Sequence, residues 1–155
     1  MLSRFPNWVL WVVAILTLVG FTDSSFLLAK RVSGGPVPCF ITTGCDEVLT
    51  SQYSSIPINI GSVNFEIPLA LMGIIFYLTV GFLLLLYVDM KKLFIAKLIL
   101  LTTTIGFLSS LSFIYIQGFL IGQYCTYCLL SAATSTLLFI LGVKIFRQAS
   151  MPHSV

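Results

Sequence analysis

Four apolar stretches, each long enough to cross a bilayer, constrain this sequence more than any other feature. They run from about Asn7 to Ala29, Pro68 to Val88, Leu93 to Gln117 and Tyr124 to Phe146, and about 20 apolar residues suffice for one crossing. Of the 155 residues, 58% are hydrophobic and 8% charged, against about 25% charged in an ordinary soluble domain. That leaves too little polar surface for a soluble fold and too few charges to keep a disordered chain solvated. The expected fold is therefore an all-α membrane protein, a single four-helix bundle over residues 1–155. The formal charge of +3, eight Lys and Arg against five Asp and Glu, is scattered and forms no basic stripe, which argues against nucleic acid as a partner.

The ends of the spans carry their own signals. Trp8 and Trp11 open the first span with rings that favour the membrane interface. Pro68 is expected in the first turn of the second, where its missing N–H costs nothing. Lys97 lies one turn inside the third and can snorkel back to the headgroups. The first span is read as a retained helix and not a signal peptide: its apolar run exceeds a usual h-region, and Asp23 to Lys30 offers no small-residue cleavage site. Asp23, near its far end, faces either the bundle or the headgroups. Short connections at Lys91-Lys92 and around Gly118 to Gln123 make their flanking spans antiparallel neighbours. Arg4, Lys91, Lys92, Lys97, Lys144 and Arg147 then share one side, with only Lys30 and Arg31 opposite, so the positive-inside rule places both termini in the cytoplasm.

The segment from Lys30 to Ile67 is too long for a connector and is expected to carry function. It opens with a turn-rich linker, Ser33 to Pro38, after which Thr43 is expected to cap a short helix through Tyr53, with Asp46 and Glu47 in its first turn. Ile56 to Phe65 mixes apolar and small polar residues with two breakers and reads as an irregular cap on the membrane surface. No internal repeat is visible, and the tail from Met151 to Val155 is expected to fray.

Cys39 and Cys45 fall in this loop, and Cys125 and Cys128 at the outer end of the fourth span. All four are thus expected in one oxidising compartment: the bacterial periplasm, the archaeal exterior or the ER lumen. Two structural disulfides are the plain alternative, but Cys125-Thr126-Tyr127-Cys128 closes almost no chain and would be a poor cross-link. Redox chemistry suits it better, because positions i and i+3 share a helix face and the N-terminal dipole stabilises a thiolate. An oxidising compartment, and a span directly after the second pair, argue against zinc or any other metal. His153, the only histidine, falls in the tail on the other side and is no general base for these thiols. A pair in the loop and a pair at the bilayer edge form a two-stage relay from a soluble protein to a lipid-soluble carrier. A quinone fits, since it takes two electrons and two protons; no haem ligand set or nucleotide loop offers an internal carrier. Cys128, one helical turn deeper than Cys125, should meet a carrier confined to the bilayer first.

These residues resemble the vitamin K epoxide reductase family: the loop pair Cys39 and Cys45, Ser51 six residues on with Tyr53 after it, Gly73-Ile74-Ile75-Phe76-Tyr77 in the second span, and Cys125-Thr126-Tyr127-Cys128 opening the last. The resemblance covers nearly the whole chain. It implies a bundle around a quinone pocket, capped by the loop, that passes electrons from a thioredoxin-like partner of the disulfide-bond protein A type to ubiquinone, menaquinone or a related quinone, as the prokaryotic members do in disulfide formation. Carried over by position, Cys39 would meet the partner, Cys45 shuttle, Cys125 accept and Cys128 stand beside the quinone. Ser51 resembles a loop hydroxyl that assists near the active site, and a serine ending a short helix is its plainer reading. Two departures weigh against epoxide reduction. Leu129-Leu130-Ser131-Ala132-Ala133 follows the Cys-X-X-Cys where animal enzymes carry Thr-Tyr-Ala, and Leu69 stands where they carry a quinone-binding asparagine. With no thioredoxin-like domain after residue 147, the partner is expected to be a separate protein and the setting a prokaryotic cell membrane. The competing expectations are a quinone or quinone-epoxide reductase of the same fold, and a four-span scaffold whose cysteines are staples. Phe76, Tyr77, Phe82 and Tyr87 are expected to pack the bundle or anchor the interface, and Glu66 to sit on a solvated rim.

Overall fold

The computed structural model describes residues 7–60 and 63–151. Arg4, Gly61, Ser62 and the tail residues 152–155, His153 included, lie outside them. Four helices are long and apolar enough to cross a membrane: α1 (Asn7–Ser33), α3 (Leu69–Met90), α4 (Leu93–Tyr115) and α5 (Thr126–Ser150). Between α1 and α3 come a short helix α2 (Cys45–Thr50), a 3-10 turn (Gln52–Ser54) and two strands, β1 (Ser55–Ile60) and β2 (Val63–Pro68). A π-helical turn, Ile116–Ile121, extends α4.

The expected spans are all present, and their ends differ in ways that local chemistry explains. α1 continues past Ala29 because Lys30 and Arg31 fall in its last turn, where cations complement the helix dipole. It stops at Gly34, whose φ of +65° supports a left-handed cap with its N–H donated to the Lys30 carbonyl at 3.0 Å. Pro68 is not in the first turn of α3. It precedes the helix, with φ −61° and ψ 136°, as the last residue of β2. Lys91 ends α3 in the left-handed region at φ 49° and turns the chain directly into α4.

The spans pack as a ring, α1 against α3 and α5, and α4 against the same two. In lipid the hydrophobic effect does not drive helix pairing, so close approach and interhelical hydrogen bonds carry it. Tyr77 shows both. Its ring lies where a Cβ on Gly20 would be, and its hydroxyl bonds the Ser131 carbonyl (3.2 Å), the Ser131 Oγ (3.0 Å) and the Thr134 Oγ1 (2.7 Å) of α5. Ser110 and Ser135 pair at 2.6 Å across α4 and α5. Tyr77 and Tyr87 are buried and Phe76 is partly buried against the core, whereas Phe82 is exposed on the outer surface.

Two expectations about the exposed segment are corrected. The stretch read as an irregular cap is an antiparallel hairpin, registered from Ser55 opposite Pro68 to Ile60 opposite Val63. Pro57 is tolerated because each strand of a two-stranded ribbon has one free edge. The short helix begins at Cys45 with Gly44 as its N-cap, without a side-chain cap from Thr43, and it ends at Thr50 instead of reaching Tyr53. A glycine is required there by close approach: a Cβ on Gly44 would come within 2.6 Å of the Gln123 Cβ and 3.2 Å of the Tyr124 carbonyl oxygen. Asp46 does not serve its own helix end alone, since its Oδ1 accepts the N–H of Val37 at 2.8 Å and ties down the linker.

Candidate active site

All four cysteines meet at one end of the bundle. Val37, Cys45, Val48 and Cys125 form a small buried cluster, with Phe26, Cys39, Leu49, Ile121, Tyr127 and Cys128 packed around it. Cys39 and Cys45 are joined as a disulfide with a Cα–Cα separation of 5.9 Å, while Cys125 and Cys128 are free thiols. Within each pair the burial is unequal. Cys45 and Cys125 are each only 1% exposed, whereas Cys39 and Cys128 are half-buried. The inward members of the two pairs thus lie in the same apolar cluster, with Cys39 on its outer side.

The inner pair is built by the start of α5. Cys125 is the residue before the helix and Cys128 lies one turn inside it, so the two side chains share a face and the thiols hydrogen-bond. That bond, with the backbone N–H groups of Cys128 and Tyr127, outweighs burial and lowers the Cys125 thiol from its ordinary 9.0 to about 7. Gln117, on the π-helical turn, is 2% exposed; its Oε1 accepts the Cys125 N–H at 3.1 Å and its side chain also reaches the Cys128 thiol. A buried amide thereby satisfies a backbone donor that the helix start leaves unpaired.

The loop is fastened directly to this motif. Thr42 N–H donates to the Thr126 Oγ1 at 3.2 Å, the two threonine hydroxyls pair at 3.0 Å, and Thr42 Oγ1 lies 3.5 Å from the Cys39 Sγ. Tyr127 donates its hydroxyl to the Pro38 carbonyl at 3.0 Å and packs its ring on Phe26, with centroids 5.2 Å apart. Both residues between the inner cysteines therefore hold the loop that carries the outer ones. Arg31 secures the other side: it bonds the Leu49 carbonyl and the Ser54 hydroxyl, and pairs with Glu66 at 3.6 Å. Glu66 also accepts the Ser55 hydroxyl at 2.7 Å, so this exposed rim residue links the hairpin to α1.

Ser51 ends α2 with its hydroxyl donated to the Val48 carbonyl at 2.8 Å. Leu69 is the first residue of α3. Next to the cysteine cluster, with which it shares Phe26 and Tyr127, α1 and α5 frame an open groove of about 520 Å³, walled by Leu18, Phe26, Tyr127 and Leu130 and also lined by Asp23. Among the described residues no group of three or more His, Cys, Asp or Glu side chains is placed to hold a metal ion.

The model of the vitamin K epoxide reductase family matches residues 11–143, from the first turns of α1 to near the end of α5. The chain belongs to this family. A search of curated proteins returns no match. Members of the vitamin K epoxide reductase family are oxidoreductases that work with quinones and thiol-redox partners, and with its four membrane-spanning helices this chain is an integral membrane member. Of the residues that build its site, Gln117, Thr42, Thr126 and Arg31 are not marked as site residues by any motif in the sequence. Gln117 alone left a signal, as a lone amide within an apolar span.

Proposed function

We propose that this chain is a quinone-dependent thiol oxidoreductase that draws electrons from the dithiol of a thioredoxin-like protein and supports disulfide formation. The observation that carries the reading is the packing of an oxidised loop pair against a reduced inner pair, with Cys45 and Cys125 as the buried members. That is the state in which the outer pair is ready to accept electrons and the inner pair to deliver them.

Half-buried Cys39 is the sulfur open to a soluble partner, whose thiolate attacks it and releases Cys45. The partner's second thiol then leaves with the first as a disulfide, and the outer pair is reduced. Cys45 attacks Cys125 of an oxidised inner pair, forming a Cys45–Cys125 bond and releasing Cys128. Cys39 next attacks Cys45, and Cys125 departs as a thiolate; a leaving thiol whose pKa is near 7 leaves faster than an ordinary one. The inner thiols finally close to a disulfide and give two electrons and two protons to the quinone. Ser51 acts by ending α2, which fixes the helix that Cys45 opens.

The groove beside the inner pair supports a quinone as acceptor. It lies between two membrane-spanning helices, is apolar on its walls and, at about 520 Å³, falls within the usual size range of small-molecule sites. In this reading the cysteine end faces the periplasm or cell exterior, and both termini face the cytoplasm of a prokaryotic cell. The test mixes detergent-purified protein with a reduced thioredoxin-like substrate and quinone and follows quinone reduction. Turnover is expected in the wild type and none in Cys128→Ser, which still exchanges its outer pair with partner thiols. Normal turnover by Cys128→Ser would remove Cys128 from the electron path.

A further inference from the structure

Asp23 has no evident structural purpose where it stands. It lies within a membrane-spanning helix, it is 7% exposed, and neither carboxyl oxygen has a hydrogen-bond partner among the described residues. A buried polar group without a partner lowers stability, and an ionisable one inside a membrane span does so most. Its neighbours on α1 do not relieve it: Thr22 and Ser25 spend their hydroxyls on the Leu18 and Phe21 carbonyls at 2.8 and 2.7 Å. An orphaned group of this kind calls for an explanation, and a redox or catalytic role is one that such groups serve.

Its surroundings point to the ligand. Asp23 lines the groove of about 520 Å³ between α1 and α5, whose other walls are mainly apolar, and Thr22 is already bonded. Tyr127, which stands between Cys125 and Cys128 in the sequence, lines the same groove and so brings it to the turn that carries the inner pair. A shallow apolar groove between two membrane-spanning helices, with one unpartnered polar side chain in its lining, suits a flat apolar molecule carrying a carbonyl oxygen. Resting on the oxidoreductase reading above, we propose that Asp23 is a catalytic residue: its carboxyl holds one carbonyl oxygen of the quinone by a hydrogen bond and passes it a proton. As Cys125 and Cys128 close to a disulfide they release two electrons and two protons. Asp23 gives its proton to the bound oxygen and takes one thiol proton in return. The other thiol proton leaves to water at that end of the bundle, from which the second oxygen is protonated. The quinone thus gains the two electrons and two protons of a quinol, and Asp23 ends as it began.

The test has two arms. In the first, the purified protein is treated with a lipid-soluble carbodiimide, which reacts with carboxyls in apolar surroundings, with and without decylubiquinone, and adducts are mapped by mass spectrometry. An adduct on Asp23 that the quinone suppresses at least several-fold is expected; no adduct in the free protein, or equal labelling with quinone, overturns the proposal. The second arm compares Asp23→Asn and Asp23→Leu with wild type. Both should raise the KM for quinone or lower kcat by tenfold or more, leave exchange between partner thiols and the Cys39–Cys45 disulfide unchanged, and unfold at a temperature no lower than wild type, because they remove an unpaired buried acid. Wild-type kinetics in Asp23→Asn, or a lowered unfolding temperature in both variants, overturns the proposal. If the wild type itself fails to reduce quinone with partner dithiol, the oxidoreductase reading falls, and the labelling arm still decides whether a quinone covers Asp23.

Discussion

Thiolate character at Cys125 comes from its neighbours, since the residue itself is buried: the Cys128 thiol supplies the largest lowering, the backbone N–H groups of Cys128 and Tyr127 add to it, and burial opposes it. With the outer cysteines replaced (Cys39→Ser, Cys45→Ser), thiolate absorbance near 240 nm should therefore rise as the pH passes about 7, and Cys128→Ala should move that midpoint upward, toward the ordinary thiol range, because it deletes the main donor. An unmoved midpoint in Cys128→Ala would show that the helix start alone sets the value. The cysteines were legible in the sequence because their spacing is local to a loop and to one helix turn. Their supports were not. Thr42 and Thr126 stand 84 residues apart, and no periodicity in either segment says that the fold will bring their hydroxyls together. Asp23 was legible only as an anomaly, a charge inside a span, and its unpaired state needed the packing of α1 on α5 to become visible.

At the level of elements, the exposed segment holds together through Arg31 at the end of α1, which reaches the carbonyl end of α2, the 3-10 turn and β2 through Leu49, Ser54 and Glu66. Hydrogen bonds to charged groups contribute about 1.5–3 kcal/mol each, less where solvent screens them. Arg31→Ala should thus lower the local stability of α2 and the hairpin by about 2 kcal/mol, read as faster amide exchange in residues 45–60 and 63–68 with α3 to α5 unaffected. Uniformly faster exchange would mean instead that Arg31 supports the whole bundle. The hairpin itself had a readable signal: Ile56, Ile58 and Ile60 alternate with Pro57 and Asn59, Val63, Phe65 and Ile67 alternate with Asn64 and Glu66, and Gly61-Ser62 sits between the two runs. Pro57 concealed it, because a proline counts against a strand until the strand is known to be an edge. The extension of α1 to Ser33 was hidden for a related reason: hydropathy ends at Lys30, whereas the helix ends where Gly34 can turn left-handed.

For the molecule as a whole, the four spans and the gathering of the cysteines at one end follow from hydropathy and connection length, the two signals that survive without any tertiary knowledge. Which face that end presents rests on Lys91, Lys92, Lys97, Lys144 and Arg147 among the described residues, opposed by Lys30 and Arg31. Single cysteines introduced at Ser33 and Met90 should therefore divide: an impermeant thiol reagent applied to intact cells should mark the first and spare the second, and the reverse pattern would put the redox site in the cytoplasm. In the proposed relay, electrons pass between the two pairs through Cys45 and Cys125. In Cys128→Ala, the Cys125 thiol can attack Cys45 and displace Cys39, and no second inner thiol is left to resolve the product. Non-reducing peptide mapping of this variant should find a Cys45–Cys125 disulfide accumulating, whereas Cys39 joined to Cys125, with no Cys45 linkage, would contradict the relay as drawn.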